Sequence, residues 1–587
     1  MIEVYSSAQS KRRHPLAPLA GWFLFGRDSV ILPLIATLFL VVSASAQAAS
    51  ITAASPSLAD VKTAVSSAVD GDTVVVPAGT ASWTQSLTIT KGITLQGQTT
   101  ITGAGTATPT ITDSTIIRDD TPRSGHILVF TLTPSQSARL TGITFAPGTT
   151  TLSGQTDGAI QFASYGTSAN TGVRMDHCHL ASLYQGKSVQ WTGWIYGVMD
   201  HNVIECRGGT LSVFFQEDSY GGTSNGQFGE GAWADFPWYG TNKFVFIEDN
   251  TIIGPSTGPQ TSANFDSWKG GRWVARHNYF KDSSPNTHGT EGNAPHGHRA
   301  CEIYDNTFNW TYAQGSRLLR SGGMLSHDNT WIGIESTDRA HTRFGVFRLI
   351  GAIGNDLTNW GLATGVNPWD VNDAHGRYDS GTTTSGSISG STGTITDTSK
   401  TWTANQYAGY SVTNTNASSA CFNHSSYIIS NTQNQLTYYY YNSGDRGAPL
   451  VFNAGDTYSI YRVLTAIDQP GRGKGDLTKL DANSKPFNTT TNSQSWTHEA
   501  LEPMFSWNNV FNNDDIGFSN GGVPTEVLNR EYYNLGHGFP QDTTPSQVSS
   551  TYTASLNGVN YTGTFTYPHP LVSGGAPPAP QNLHTVP

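Results

Sequence analysis

Two short stretches gather side chains that can move protons and hold anions. His288-Gly289-Thr290-Glu291 and His296-Gly297-His298-Arg299 form the first, and Ser316-Arg317-Leu318-Leu319-Arg320-Ser321 the second. Such a set suits β-elimination from a uronate, which needs three groups. A cation neutralises the carboxylate and acidifies the neighbouring proton, a base removes it, and an acid assists the leaving oxygen. Arg320 or Arg299 could serve as the cation, and neutral His296 or His298, or Lys269, as the base. Lys243, Arg272 and His288 would add anion contacts, and Trp191, Trp194, Trp233 and Trp238 flat faces for sugar rings. Glu291, Asp266 and Asp282 supply oxygen donors that suit calcium. His177, His201 and His277 read instead as turn caps. The chain has no GxSxG or SxxK, and Gly471-Arg472-Gly473-Lys474-Gly475 lacks phosphate-loop spacing.

These residues lie far apart in sequence, so something periodic must bring them together. One pattern recurs: Met175-Asp176-His177-Cys178-His179-Leu180, Met199-Asp200-His201-Asn202-Val203-Ile204, Ile247-Glu248-Asp249-Asn250-Thr251-Ile252, Ala275-Arg276-His277-Asn278-Tyr279-Phe280 and Ile303-Tyr304-Asp305-Asn306-Thr307-Phe308. His327-Asp328-Asn329-Thr330-Trp331 and Trp507-Asn508-Asn509-Val510-Phe511 extend it. The key position falls at 178, 202, 250, 278, 306 and 329. Each copy alternates apolar and polar residues around an Asn, as a strand, a tight turn and a second strand would. Repeats at this spacing signify a solenoid. The 48-residue step from 202 to 250 is two coils, or one coil with a long loop around 212–243.

An internal column of turn asparagines resembles that of the pectate-lyase-like superfamily of right-handed, single-stranded parallel β-helices. The opening is also similar, with a helical segment from Leu58 that would cap the first coil, followed by Gly71-Asp72-Thr73-Val74-Val75-Val76. In that superfamily the Asn turn joins the second and third strands of a coil. The resemblance therefore puts the first strand and its loop about six to nine residues earlier. Lys243, Lys269, Arg272, Arg299 and Arg320 occupy those offsets, so they are expected as a row of cations on one face, with Trp191 and Trp194 beside them. Leu319-Arg320-Ser321-Gly322 before an Asn turn is loosely similar to the catalytic coil of alginate and chondroitin lyases on this fold. Those lyases carry a Lys one coil earlier, where this chain has Arg299. The inverting polygalacturonase pattern is matched poorly, since Arg-x-Lys occurs only at Arg472-Gly473-Lys474.

The expected organisation follows. Residues 1–48 read as an export signal, with Lys11, Arg12 and Arg13, an apolar run from Val30 to Val42, and a small-residue site ending at Ala48. The β-helix spans 49–379 and 465–572, interrupted by a small antiparallel β module at 380–464 that is rich in Ser, Thr, Asn and Tyr. Residues 573–587 form a Pro-rich tail. The net charge of −11 excludes a nucleic-acid partner on electrostatic grounds. Four cysteines in 587 residues make no disulfide framework, and Cys178, Cys206 and Cys301 read as buried thiols. The expectation is a secreted all-β monomer, free of the membrane once processed, that acts on an acidic polysaccharide as a lyase. Two alternatives stay open: a non-catalytic surface protein that binds glycan, and a glycoside hydrolase.

Overall fold

A computed structural model describes residues 48–585, apart from 122–125, 150–157, 167, 183–186, 207–210, 217–236, 255–264, 269, 288–297, 313–316, 335–339, 345–376, 409–410, 423, 441–448, 462–469, 472–486, 489–492, 495–501, 521–525, 527, 530, 536–560, 562 and 574–582.

The strands of the repeat are short, and each finds its partner one coil away. Met199 pairs in parallel with Met175 on one side and Ile247 on the other, and the register runs on through Ala275, Ile303 and Ser326 to Ser506. Three stacks of strands result. A thirteen-stranded sheet holds the segments before the Asn turn, and an eleven-stranded sheet those after it. A six-stranded sheet runs from Leu87–Ile89 to Phe265–Trp268, and a three-stranded one holds Arg317–Leu319, Ala340–Phe344 and Gly517–Ser519. This is a parallel β-helix. The 202-to-250 step is a single coil, because Ile247 pairs directly with Met199.

Alternation decides what faces inward. In the first stack, Phe130, Phe162 and Trp191 lie ring on ring at 5.2 and 4.9 Å. In the third, Phe280, Phe308 and Trp331 repeat at 4.6 Å. The polar seam where the second sheet turns into the third is the Asn column. Asn250 donates its backbone N–H and its side-chain amide to Asn278 Oδ1, at 3.0 and 3.1 Å. Asn278 does the same to Asn306, and Asn306 to Asn329. Cys178 begins the column by donating its N–H to Asn202 Oδ1, and Asn509 ends it. The left-handed bend of each turn falls on the residue before the Asn: His177, His201, Asp249, His277, Asp305, Asp328 and Asn508 all have φ between 48° and 57°. The bend thus falls beside the Asn and not on it. The ladder amides are committed to neighbouring coils, so the preceding outward residue takes the turn.

A helix at Leu58–Ser67 packs Val61, Ala64 and Val65 against the first strands. Ser57 caps its start by accepting from Asp60 N–H, and Lys91 Nζ donates to the Val65, Ser66 and Ala68 carbonyls at its end. Seven antiparallel strands lie between Arg377 and Tyr461 around a separate core that includes Trp402, Tyr438 and Ile460. The segment from Tyr561 to Ser573 crosses the outer face of the second sheet, where Phe565 and Leu571 meet Phe246 and Val198. No helix among the described residues is long and apolar enough to span a membrane.

Candidate functional site

The cations expected as a row do not form an exposed groove: Arg272 pairs with Ala300 and not with Arg299, so the two stand one position out of register. Arg272 opens the second-sheet strand Arg272–Arg276, so the offset of six residues reaches the second sheet and not the first. Arg299 N–H bonds to Gly271 O on the coil below, and Gly323 N–H to Arg299 O on the coil above. Gly322 fits this turn because its left-handed φ of 56° leaves no space for a side chain: a Cβ would stand 2.3 Å from Arg299 O. Arg272, Arg299 and Arg320 lie near one corner of the solenoid without sharing a register position, and all three are buried. Arg299 grips Glu502 through two hydrogen bonds of 2.7 and 2.9 Å. Arg272 Nη1 donates to Pro237 O at 3.3 Å. Thr287 binds both the N–H and the carbonyl of Arg320.

The same holds for other candidates. His298 is sealed between Ser267 Oγ at 2.6 Å and Gly323 O at 3.2 Å, and burial pushes its pKa down to about 3. It is neutral, as a base must be, but solvent does not reach it. Trp191 is a core residue, and Trp194 is buried beside Tyr196, so neither offers a face to sugar. These are corrections: a strand entering a solenoid turns alternate residues inward, and Trp191 falls on an inward position. Trp238 is half-buried, with Lys243 Nζ 3.7 Å above its ring, so each occupies the other's free face. Asp266 is buried, and Asp282 accepts from Thr311 N–H and Oγ1, at 2.7 Å each. Among the described residues no three His, Cys, Asp or Glu side chains converge as a metal site. Lys269, His288, Glu291, His296 and Trp233 lie outside the described residues.

The open feature of the described surface is elsewhere. A cleft of about 580 Å³ lies over the start of the second sheet, where Asp70, Thr94, Gln136, Ser137, Arg139 and Arg174 meet Pro570 and Leu571. Thr94, Arg139 and Arg174 sit side by side in parallel register on consecutive coils. Behind them Asp176, fully buried, accepts from Arg139 Nε and Nη2 and lies 2.9 Å from Arg174 Nη2. Burial alone would raise the Asp176 pKa. The His177 and Arg139 hydrogen bonds and the Arg174 charge outweigh it and hold the carboxylate near 2. Arg174 is fixed further by Asp200, at 2.8 and 2.7 Å, and donates to Leu571 O at 3.1 Å. Arg139 stays 17% exposed, and its Nη1 has no partner among the described residues.

Sequence reasoning missed this cleft. The repeat was traced through its asparagines, and the coils that build the cleft carry Cys178 or Ile143 at the ladder position. Aligning Arg139-Leu140-Thr141-Gly142-Ile143 with Arg174-Met175-Asp176-His177-Cys178 would have shown the paired arginines.

No protein-family model matches the chain, and no curated protein matches it. Solved structures similar to it include an alginate lyase from Paenibacillus sp. str. FPU-7 (12% identity, 50% of this chain and 90% of that one, TM-score 0.22). A second is the tailspike protein gp49 of Acinetobacter baumannii bacteriophage Fri1, a capsular polysaccharide depolymerase (10%, 72% and 86%, TM-score 0.22). A third is a mutant tailspike of E. coli bacteriophage HK620 in complex with a hexasaccharide (10%, 66% and 86%, TM-score 0.19). At these scores the likeness carries no argument about the site, and the fold rests on the strand register described above.

Proposed function

We propose that the protein is an exported, polysaccharide-active β-helix protein whose substrate is an acidic, uronate-containing glycan, cleaved by β-elimination. The observation that carries this reading is the register. Strand stacking sets like-positioned side chains of consecutive coils about 4.8 Å apart in straight columns. A polymer lying along the axis thus meets a repeated chemistry, as at Thr94, Arg139 and Arg174. Guanidinium groups favour carboxylates over neutral sugars.

The burial of Arg272, Arg299 and His298 assigns them to holding the corner together. The proton-abstracting role in this reading passes to Lys269 or His296, which flank that corner in sequence. The test is incubation with alginate, pectate, chondroitin and ulvan, following both ultraviolet absorbance of unsaturated uronate and release of reducing ends. Absorbance should rise on one of them and vanish in His296→Ala or Lys269→Ala. Reducing ends without that absorbance would make the protein a hydrolase, and binding without either a non-catalytic glycan receptor.

A further inference from the structure

Three features compete for attention outside the corner already described. His179 is held between Asp113, at 2.9 Å, and Glu205, at 3.7 Å, on the outer face of the third sheet. His177 and His201 stack their rings 5.3 Å apart on consecutive turns. None of His177, His179 and His201 lines the cleft at Arg139. The cleft at Arg139 has both the volume and unspent hydrogen-bonding groups.

We infer that this cleft is a binding site for an acidic oligosaccharide, with the uronate carboxylate on Arg139. The inference rests on the polysaccharide reading above and adds the place and the contacts. Its volume of about 580 Å³ lies within the range of ligand-binding clefts. Its column of Thr94, Arg139 and Arg174 spans two strand spacings, about 10 Å, which is the length of two or so sugar units. The floor offers groups of the required kind. Arg139 Nη1 is an open donor on a guanidinium locked in place by Asp176, so little side-chain freedom is lost on binding. Thr94 Oγ1 and Ser137 Oγ make no hydrogen bond among the described residues and face the role of hydroxyl partners.

The opposite wall is also fixed. Asp70 accepts from Gln136 Nε2 at 3.1 Å and from Gly92 N–H at 2.8 Å, which ties three coils together at the rim. Pro570 and Leu571 give the apolar side against which a sugar ring can lie, and Leu571 is anchored by Arg174. Fully buried Asp176 and Asp200 sit behind the arginines. Their charge pairs with the cations from below and takes up the donors of Arg174, which leaves Arg139 Nη1 as the guanidinium nitrogen for a ligand.

The test is calorimetric titration of the intact protein with a galacturonate trisaccharide, a guluronate trisaccharide and a neutral galactose trisaccharide. At least one acidic trisaccharide should bind, and the neutral one should bind at least about tenfold more weakly, the loss expected when a charge-assisted pair is removed. Arg139→Gln should weaken the acidic ligand about tenfold. Because that change also disturbs Asp176, Thr94→Trp serves as the second variant: it fills the cleft without touching the ion pair and should abolish binding. Acidic ligand bound equally by wild type and both variants would overturn the cleft assignment and leave the polysaccharide function standing. Equal binding of neutral and acidic trisaccharides would overturn the carboxylate contact. No binding of any acidic glycan, oligomer or polymer, would overturn the function itself and this inference with it.

Discussion

Arg299 shows how a residue type with catalytic credentials becomes structural. Its two hydrogen bonds to Glu502 join segments 203 residues apart in the chain, and both partners are buried. Removing one member of such a pair leaves an uncompensated charge in a low dielectric and costs about 3–5 kcal/mol. Arg299→Ala should therefore lower stability by that amount in denaturant titration, and Arg299→Leu with Glu502→Leu should recover most of it. An Arg299→Ala protein of wild-type stability with lost turnover would instead restore Arg299 to the active site. The ladder makes a parallel case. Asn278 donates to Ile247 O, Arg276 O and Asn306 Oδ1, and accepts from Asn250. Asn278→Leu strands several buried groups, each worth about 1–3 kcal/mol, so a loss of about 3 kcal/mol or more is expected in the same titration. That column was legible in the sequence, because Asn recurs at a position where only one spacing fits. The burial of the arginines was not, because nothing in the sequence marks what covers them: Glu502 follows Arg299 by 203 residues, and Pro237 lies off the repeat.

At the scale of elements, the segment Tyr561–Ser573 is the part least visible in the chain and the most informative in space. It carries no repeat, yet it lies along the second sheet and spends its backbone on the sheet's charges: Phe565 O and Thr566 O accept from Arg276, and His569 N–H bonds to Glu248. The His569 ring is pushed down to about 4, by burial first and by the Arg276 charge next. A depressed histidine stabilises the docked state above its free value of about 6.5 and loses that contribution as pH falls toward 4. Once corrected for the slower intrinsic exchange at low pH, the protection of this segment should therefore fall between about pH 6.5 and 4 ahead of the solenoid core, and His569→Phe should flatten the dependence. A protection factor that does not change across this window would contradict the docking role of His569. The capping segment at the other end was easier to foresee: Ser57 followed by Asp60 and an apolar spacing already spells a helix start.

For the whole molecule, the account divides the chain into a solenoid and a module grafted onto it. Arg377 and Tyr461 face each other in an antiparallel pair, so the two ends of the module lie about 5 Å apart. Its core of Ile395, Val412, Leu436, Tyr438 and Ile460 forms a cluster of its own. The piece 377–461 expressed alone should unfold cooperatively, and a non-cooperative transition would show that it depends on the solenoid. The solenoid in turn was readable because its period is carried by one residue type at one turn. The cleft escaped notice because its coils lack that residue.

The claim on which the rest depends is that coils in register present a track for an acidic glycan along the axis. Hydrogen-exchange protection with and without a galacturonate or guluronate oligomer measures this directly. The account predicts slowed exchange at neighbouring positions of successive coils, around Thr94, Arg139 and Arg174. Protection confined to a single coil would contradict it.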